Sequence, residues 1–211
     1  MEQLHRLSVE DFKKSGKTPV TVLLDNVRSM NNVGSVFRTA DAFRIERLYL
    51  CGITARPPHK EIEKTALGAT ESVDWEHSDN TLETVEQLKN KGFQVLAVEQ
   101  AEGSTPLHRF RWDGASPIAL VFGNEVMGVE QAVIDRCDGV IEIPQAGTKH
   151  SLNIAVSAGA VLWEVYRQYI EAQASGQTAS APDTSDPDTS DPEKSGPDKS
   201  DRKTSDQNLQ P

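Results

Sequence analysis

The chain has 211 residues and a formal net charge of −10, with 22 Lys and Arg against 32 Asp and Glu. That length suits one ordinary domain plus an appendage, and the acid excess excludes a chain that is basic throughout, so any nucleic-acid footprint must be local. Cys51 and Cys137 stand in no C-x-x-C and lack a histidine at metal-ligand spacing, which predicts reduced thiols and no metal.

In chain order, residues 1–18 are long enough for a helix and a connector. "PVTVLLD" (19–25) is a β-branched run bounded by Pro19 and Asp25, the pattern of a buried strand. From Asn32 to Phe43, Val33, Val36, Phe37, Ala40 and Phe43 recur at helical spacing. "RLYLCG" (47–52) reads as a strand, "HKEIEKTALGA" (59–69) as a helix stopping at Gly68, and "SVDWEH" (72–77) as a short strand. "TLETVEQLKNKG" (81–92) is a helix with Thr81 as its cap and Gly92 at its end. Strands follow at 93–99 and 117–123, then a helical piece near 128–136, a strand at 139–144, and a long helix from about Ser151 to Tyr169. From Ala172 the sequence turns to Asp, Ser, Thr and Pro with a five-residue near-repeat (DTSDP, DTSDP, EKSGP) and only Leu209 as a large aliphatic. Such a segment buries too little apolar area to offset chain entropy. The expected organisation is an amino-terminal piece at 1–18, a domain at 19–171 and a disordered acidic tail at 172–211.

Strands alternating with helices, several strands being continuously apolar, predict an α/β domain whose mainly parallel sheet is flanked by helices. Ligands in such folds bind beyond the carboxyl ends of the strands. Three strands run there into polar, glycine-bearing loops: "LLDNVRSMNNVGSVFR", "LVFGNEVMG" and "IEIPQAGTKHSLN". Each odd residue has a plain reading beside the functional one. Ser151 suits a helix cap, and Glu125 a cap or salt bridge. Arg38, among apolar helical positions, suits a snorkelling surface side chain. Asn153 resists the plain reading, because Asn is poor in a helix interior. The three tryptophans read as packing residues. G-x-G-x-x-G, G-x-x-x-x-G-K-[ST] and G-x-S-x-G are all missing, the five histidines are dispersed, and adjacent His150 and Ser151 do not face each other on a helix.

Taken together, the three loops resemble the SpoU-type RNA ribose methyltransferases of the SPOUT superfamily. N-x-G-x-x-x-R stands as Asn32, Gly34 and Arg38. "ALVFGNEVMGV" supplies Gly123, Asn124, Glu125 and Gly128, and "IEIPQAGTKHSLNIAVSAG" supplies Ile143, Pro144, Gly147, Ser151, Leu152 and Asn153. The resemblance covers about Pro19 to Tyr166. It implies S-adenosylmethionine-dependent methylation of a ribose 2′-hydroxyl in RNA, and a deep trefoil knot in the carboxyl-terminal third that sequence patterning would not suggest. By resemblance the cofactor lies against Ala97, Val98, Glu99, Gly123, Asn124, Ile143, Pro144 and Leu152. Arg38 acts on the hydroxyl, with Asn32, Glu125, Ser151 and Asn153 arranging it and the substrate. Asn32 and Gly34 are expected to shape the loop before the Arg38 helix. Two roles stand for Arg38: taking the hydroxyl proton, or, as suits a guanidinium that stays protonated, binding the neighbouring phosphate and stabilising the developing alkoxide.

Charge is unevenly spread: residues 1–64 hold 11 bases and 8 acids, whereas 65–171 hold 7 bases and 16 acids. RNA recognition is therefore expected from Arg28, Arg44, Arg47, Arg56, His59, Lys60 and Lys64, with Lys149 and His150 near the third loop. The lack of a separate RNA-binding domain favours tRNA over rRNA. Gly128, Ala155, Ala158 and Gly159 read as sites of close helix packing, and related proteins form dimers through the last helix, so a homodimer is expected. Without a signal peptide or an apolar run near 18 residues, no membrane segment and a cytoplasmic location are expected. The alternatives are an rRNA ribose methyltransferase, a base-nitrogen methyltransferase, and a non-catalytic RNA-binding protein that keeps the fold.

Overall fold

The centre of the domain is a seven-stranded sheet, and its burial pattern shows why the strands are so apolar. The computed structural model describes residues 7–149 and 151–179, with side chains through 176. Strand β1 (Thr18–Asp25) alternates strictly: Val20, Val22 and Leu24 face one apolar cluster, while Leu23 faces the other. Strand β6 (Ile118–Phe122) does the same, with Ile118, Leu120 and Phe122 on the first side and Ala119 and Val121 on the second. With both faces covered, the alternation is between two cores rather than between core and water.

The remaining strands are β2 (Ile45–Cys51), β3 (Trp75–Ser78), β4 (Gln94–Val98), β5 (Thr105–Pro106) and β7 (Gly139–Glu142). They lie in the order β3-β2-β1-β6-β4-β7-β5, and every pairing is parallel. Thus β6, late in the chain, sits between β1 and β4. Helices α2 (Met30–Ala42), α3 (Lys60–Ala66), α4 (Ala69–Ser72) and α7 (Ile154–Ala179) supply residues to the first cluster. Those of α5 (Thr81–Asn90) and α6 (Gln131–Ile134) join the second. A short α1 (Val9–Lys14) precedes β1.

Several boundaries correct the sequence reading. The helix expected over 59–69 is two helices, because Leu67 (φ 52°) and Gly68 (φ 90°) turn left-handed between them. Helix α5 is capped by Asn80, whose side chain accepts from the Leu82 and Glu83 N–H groups; the Thr81 hydroxyl instead donates to the buried Asp25. Helix α7 begins at Ile154, not Ser151. Asn153 is its cap: the side-chain oxygen accepts from Ala155 N–H at 2.9 Å and the carbonyl from Val156 and Ser157. The helix runs to Ala179, eight residues into the segment assigned to the tail. Its continuation has a packing partner in Gly114, where a Cβ would lie 2.6 Å from Ala172 Cβ. Residues 180–211, the rest of the tail, and His150 lie outside the described residues. Edge strand β5, two residues including a proline, was not anticipated. Trp163 is half exposed rather than a packing residue of the core. Among the described residues Gly159 has no neighbour within 4 Å of a would-be Cβ, so none of them packs closely there. Among the described residues no helix is long and apolar enough to cross a membrane.

Candidate active site

Because the sheet is parallel, the loops after β1, β4, β6 and β7 leave it at one edge. The loop after β6 is organised by Asn124. Its N–H donates to Gly128 O and the Gly128 N–H donates to Asn124 O, both at 2.9 Å, which closes a small hairpin. The Asn124 side-chain oxygen accepts from the Val126 and Met127 N–H groups at 2.8 and 3.2 Å. Its amide donates to Asn26 O, just after β1, at 2.7 Å. A Cβ on Gly123 would lie 2.1 Å from the Gly128 and Val129 backbone, so only glycine admits this fold-back. Gly128, at φ +70°, abuts the Glu99 carboxylate, so its role is a turn and not the helix packing expected. Glu99 in turn accepts from the Val129 and Gln100 N–H groups.

From this hairpin Glu125 reaches the start of α2. Its two oxygens accept from the N–H groups of Arg28 and Ser29 and from the Asn32 side-chain amide, each at 3.0 Å. Burial alone would push this carboxyl up, but the donors from Arg28, Asn32 and Ser29 outweigh it and hold the group below the usual carboxylate range. A carboxylate at the amino end of a helix also meets the positive end of the helix dipole. Asn32, itself buried, accepts through its other atom from Asn153 Nδ2 at 3.1 Å. One hydrogen-bonded chain, Glu125–Asn32–Asn153, therefore ties together all three loops.

Asn32, Glu125 and Asn153 thus meet as expected, although as each other's partners. Ser151 lines the same cleft without capping α7. Arg38 lies two turns into α2 and is exposed; no hydrogen bond or ion pair among the described residues holds it. Gly34 is not a loop residue. It lies inside α2, where a Cβ would approach Ile62 O and Thr65 Oγ1 to 2.2 Å, so it lets α2 and α3 cross closely.

Beside these residues opens a cleft of about 250 Å³. Of the residues expected around the cofactor, Val98, Glu99, Gly123, Asn124, Ile143 and Leu152 line it. Ala97 does not: it is fully buried within β4. Pro144 is exposed and outside the lining. The cleft also uses Phe122, Val126, Met127, Gln145, Ile154 and Ser157, which sequence reasoning missed. Two large apolar residues in a turn were the available signal for Val126 and Met127. Missed as well was Asp25, a fully buried carboxylate that accepts from Thr81 Oγ1 (2.6 Å), Asn26 Nδ2 (2.9 Å) and Glu130 N–H (3.3 Å). Its signal was an acid ending an apolar strand. Among the expected RNA contacts, Arg28, Arg56, Lys60, Lys64 and Lys149 are exposed, Arg44 is half-buried, and Arg47 pairs with Glu76 at 3.2 Å. His59 caps α3, with its ring nitrogen accepting from Glu61 N–H. Among the described residues no three His, Cys, Asp or Glu side chains form a metal site.

A family model described as the SpoU rRNA Methylase family matches residues 19–163. The 23S rRNA (guanosine-2′-O-)-methyltransferase RlmB of Vibrio parahaemolyticus is 29% identical over 82% of this chain and 68% of its own. The chain spans about three fifths of the length of other curated relatives it matches. Among solved structures, the A. aeolicus TrmH/SpoU tRNA modifying enzyme aligns with a TM-score of 0.70 at 29% identity, covering 78% of this chain and 84% of that one. The SpoU methyltransferase AviRb of Streptomyces viridochromogenes, in complex with AdoMet, aligns at 0.64 and 29%, covering 76% and 64%.

Proposed function

Since the chain belongs to the SpoU rRNA methylase family, we propose that it transfers a methyl group from S-adenosylmethionine to a ribose 2′-hydroxyl of RNA, most plainly tRNA. The observation that carries this reading is the Glu125–Asn32–Asn153 chain beside the cleft, which brings the three loops of the resemblance into one site. The lining residues fit the cofactor: Phe122, Ile143 and Ile154 offer apolar faces for a nucleoside, and Ser151, Ser157 and Gln145 offer polar groups for its ends. When bound, the cofactor supplies an electrophilic methyl group on a sulfonium. The chain's own task is to hold the 2′-oxygen against it. Arg38, exposed and unpaired, binds the phosphate beside the target ribose and stabilises negative charge developing on the 2′-oxygen, while the hydroxyl proton passes to solvent. Glu125, already holding three donors, positions α2 rather than taking that proton.

The tRNA preference rests on likeness to the A. aeolicus tRNA modifying enzyme. The family description and the Vibrio relative favour rRNA as the second reading. The exposed cations Arg28, Arg56, Lys60, Lys64 and Lys149, with half-buried Arg44, supply the phosphate contacts. We further propose a homodimer through α7, a knotted carboxyl-terminal third, consistent with the late insertion of β6 beside β1, and a cytoplasmic setting that suits two free thiols.

The test is transfer of tritiated methyl from S-adenosylmethionine to unmodified tRNA and rRNA transcripts, with nuclease digestion and mass spectrometry locating the methyl on ribose. Arg38→Lys is expected to lower kcat by about 10²-fold or more, as for loss of one transition-state donor. No ribose methylation by the unaltered protein would overturn the reading, and near-normal turnover by Arg38→Lys would overturn the role of Arg38.

A further inference from the structure

The hairpin after β6 has one property that its own architecture does not require. The polar groups that shape it are satisfied: Asn124 through five hydrogen bonds, Glu125 through three. Turn tips are ordinarily built from Gly, Pro, Asn, Asp and Ser. Here the tip is Val126 and Met127, exposed by 75% and 82%. Neither side chain belongs to either apolar cluster, yet both line the cleft. Two large apolar groups are thus held to water on a rigid support.

Their surroundings narrow what would cover them. The inner cleft wall is the buried set Phe122 and Ile154, whereas Val126 and Met127 form its exposed rim. Glu125, the residue before this tip, also fixes the backbone N–H of Arg28, whose exposed side chain has no ion-pair partner among the described residues. An exposed apolar tip and an exposed cation tethered to the same carboxylate suit one ligand chemistry: a base carrying a phosphate.

We propose that Val126 and Met127 form the platform on which a base of the RNA packs, that of the nucleotide whose ribose is presented to the cleft, with Arg28 holding an adjacent phosphate. This inference rests on the RNA-modifying reading above and adds to it a site of base contact. Because the platform is apolar and offers no side-chain hydrogen-bond donor, it favours large flat bases without reading their edges. Purines are therefore held better than pyrimidines.

The experiment uses the full chain with S-adenosylmethionine present and reads binding without requiring methyl transfer. A single-stranded oligoribonucleotide containing 2-aminopurine is titrated, and a rise in its fluorescence reports transfer of the base from the strand's own stack onto the apolar tip. A saturable rise is expected with the unaltered protein. In V126S/M127S the apparent Kd rises about tenfold, as for the loss of one base's apolar contact. Met127→Leu, which keeps an apolar tip, restores binding to within about twofold of the unaltered protein. Arg28→Ala weakens binding and flattens its salt dependence by about one phosphate contact. A thermal melt checks that V126S/M127S is folded, as expected for exposed positions. No fluorescence rise with the unaltered protein, or equal affinity in V126S/M127S, overturns the inference. So does an equal loss of S-adenosylmethionine affinity in that variant, which would assign the tip to the cofactor, or a change in its sedimentation, which would assign it to a protein contact. Failure of methyl transfer with the fluorescence rise intact would instead overturn the enzymatic reading alone.

Discussion

Glu125 shows how a single side chain can answer to both the fold and the site. Its carboxylate gathers three donors from the start of α2, so replacing it by glutamine turns one acceptor oxygen into an amine facing N–H groups. Glu125→Gln is expected to cost about 1–3 kcal/mol in chemical denaturation at pH 7. Because its folded-state carboxyl is lowered, the contribution is fully present above the unfolded value of about 4.3 and is lost as pH falls through the folded value. The stability gap between the two proteins should therefore close below about pH 4. In the sequence Glu125 stood between a cap or salt bridge and a functional group; in the structure it holds the backbone just before α2, whose own cap is Ser29. Asn153 was rightly singled out as unfit for a helix interior. The reason is that it stands before the helix, with one end on the helix backbone and the other on Asn32. The Glu125–Asn32 and Asn32–Asn153 contacts do not follow from spacing, since they join residues 93 and 121 positions apart.

Elements were legible where burial fixed them. The central strands read clearly because two apolar faces make nearly continuous apolar runs. The break at Leu67 and Gly68 was hidden, because a left-handed pair leaves no mark on apolar periodicity. The end of α7 was misplaced for a different reason: composition shifts at Ala172 before the backbone does, and helix propagation costs little once a long helix exists. Gly34 was legible as a motif residue but not as a contact. Its meaning lies in the approach of α3, 28 residues later at Ile62 O. Gly34→Ala should force α2 and α3 apart and lower stability by about 1–3 kcal/mol, read by urea denaturation. The loss in activity should be greater than the loss in folded fraction, because the same helix carries Asn32 and Arg38. Equal stability with full activity would show that the crossing can relax.

At the scale of the whole molecule, the most conspicuous unexplained surface is on α7. Val156, Trp163 and Ile170, seven residues apart, are exposed by 57%, 50% and 41%. That spacing places them on one helix face, and Trp163 continues into a ring cluster with Phe43 and Tyr166 at centroid distances of 6.0 and 6.4 Å. A second copy of the chain is the occupant that the proposed homodimer supplies. Trp163→Glu is expected to shift the protein from dimer to monomer in sedimentation equilibrium at micromolar concentration, with its helical circular dichroism retained. A dimer that survives the change would move the interface elsewhere. The strand order has a different consequence, one of timing. Val20 pairs with Ile118 and Gln94 pairs with Ile118 from the other side, so the middle of the sheet is completed only by a strand that follows β1 to β5 in the chain. Folding is consequently dominated by distant pairings and should be slow for a domain of this size. The cleft loops that follow β6 and β7 can therefore take their final places only once those last two strands have paired.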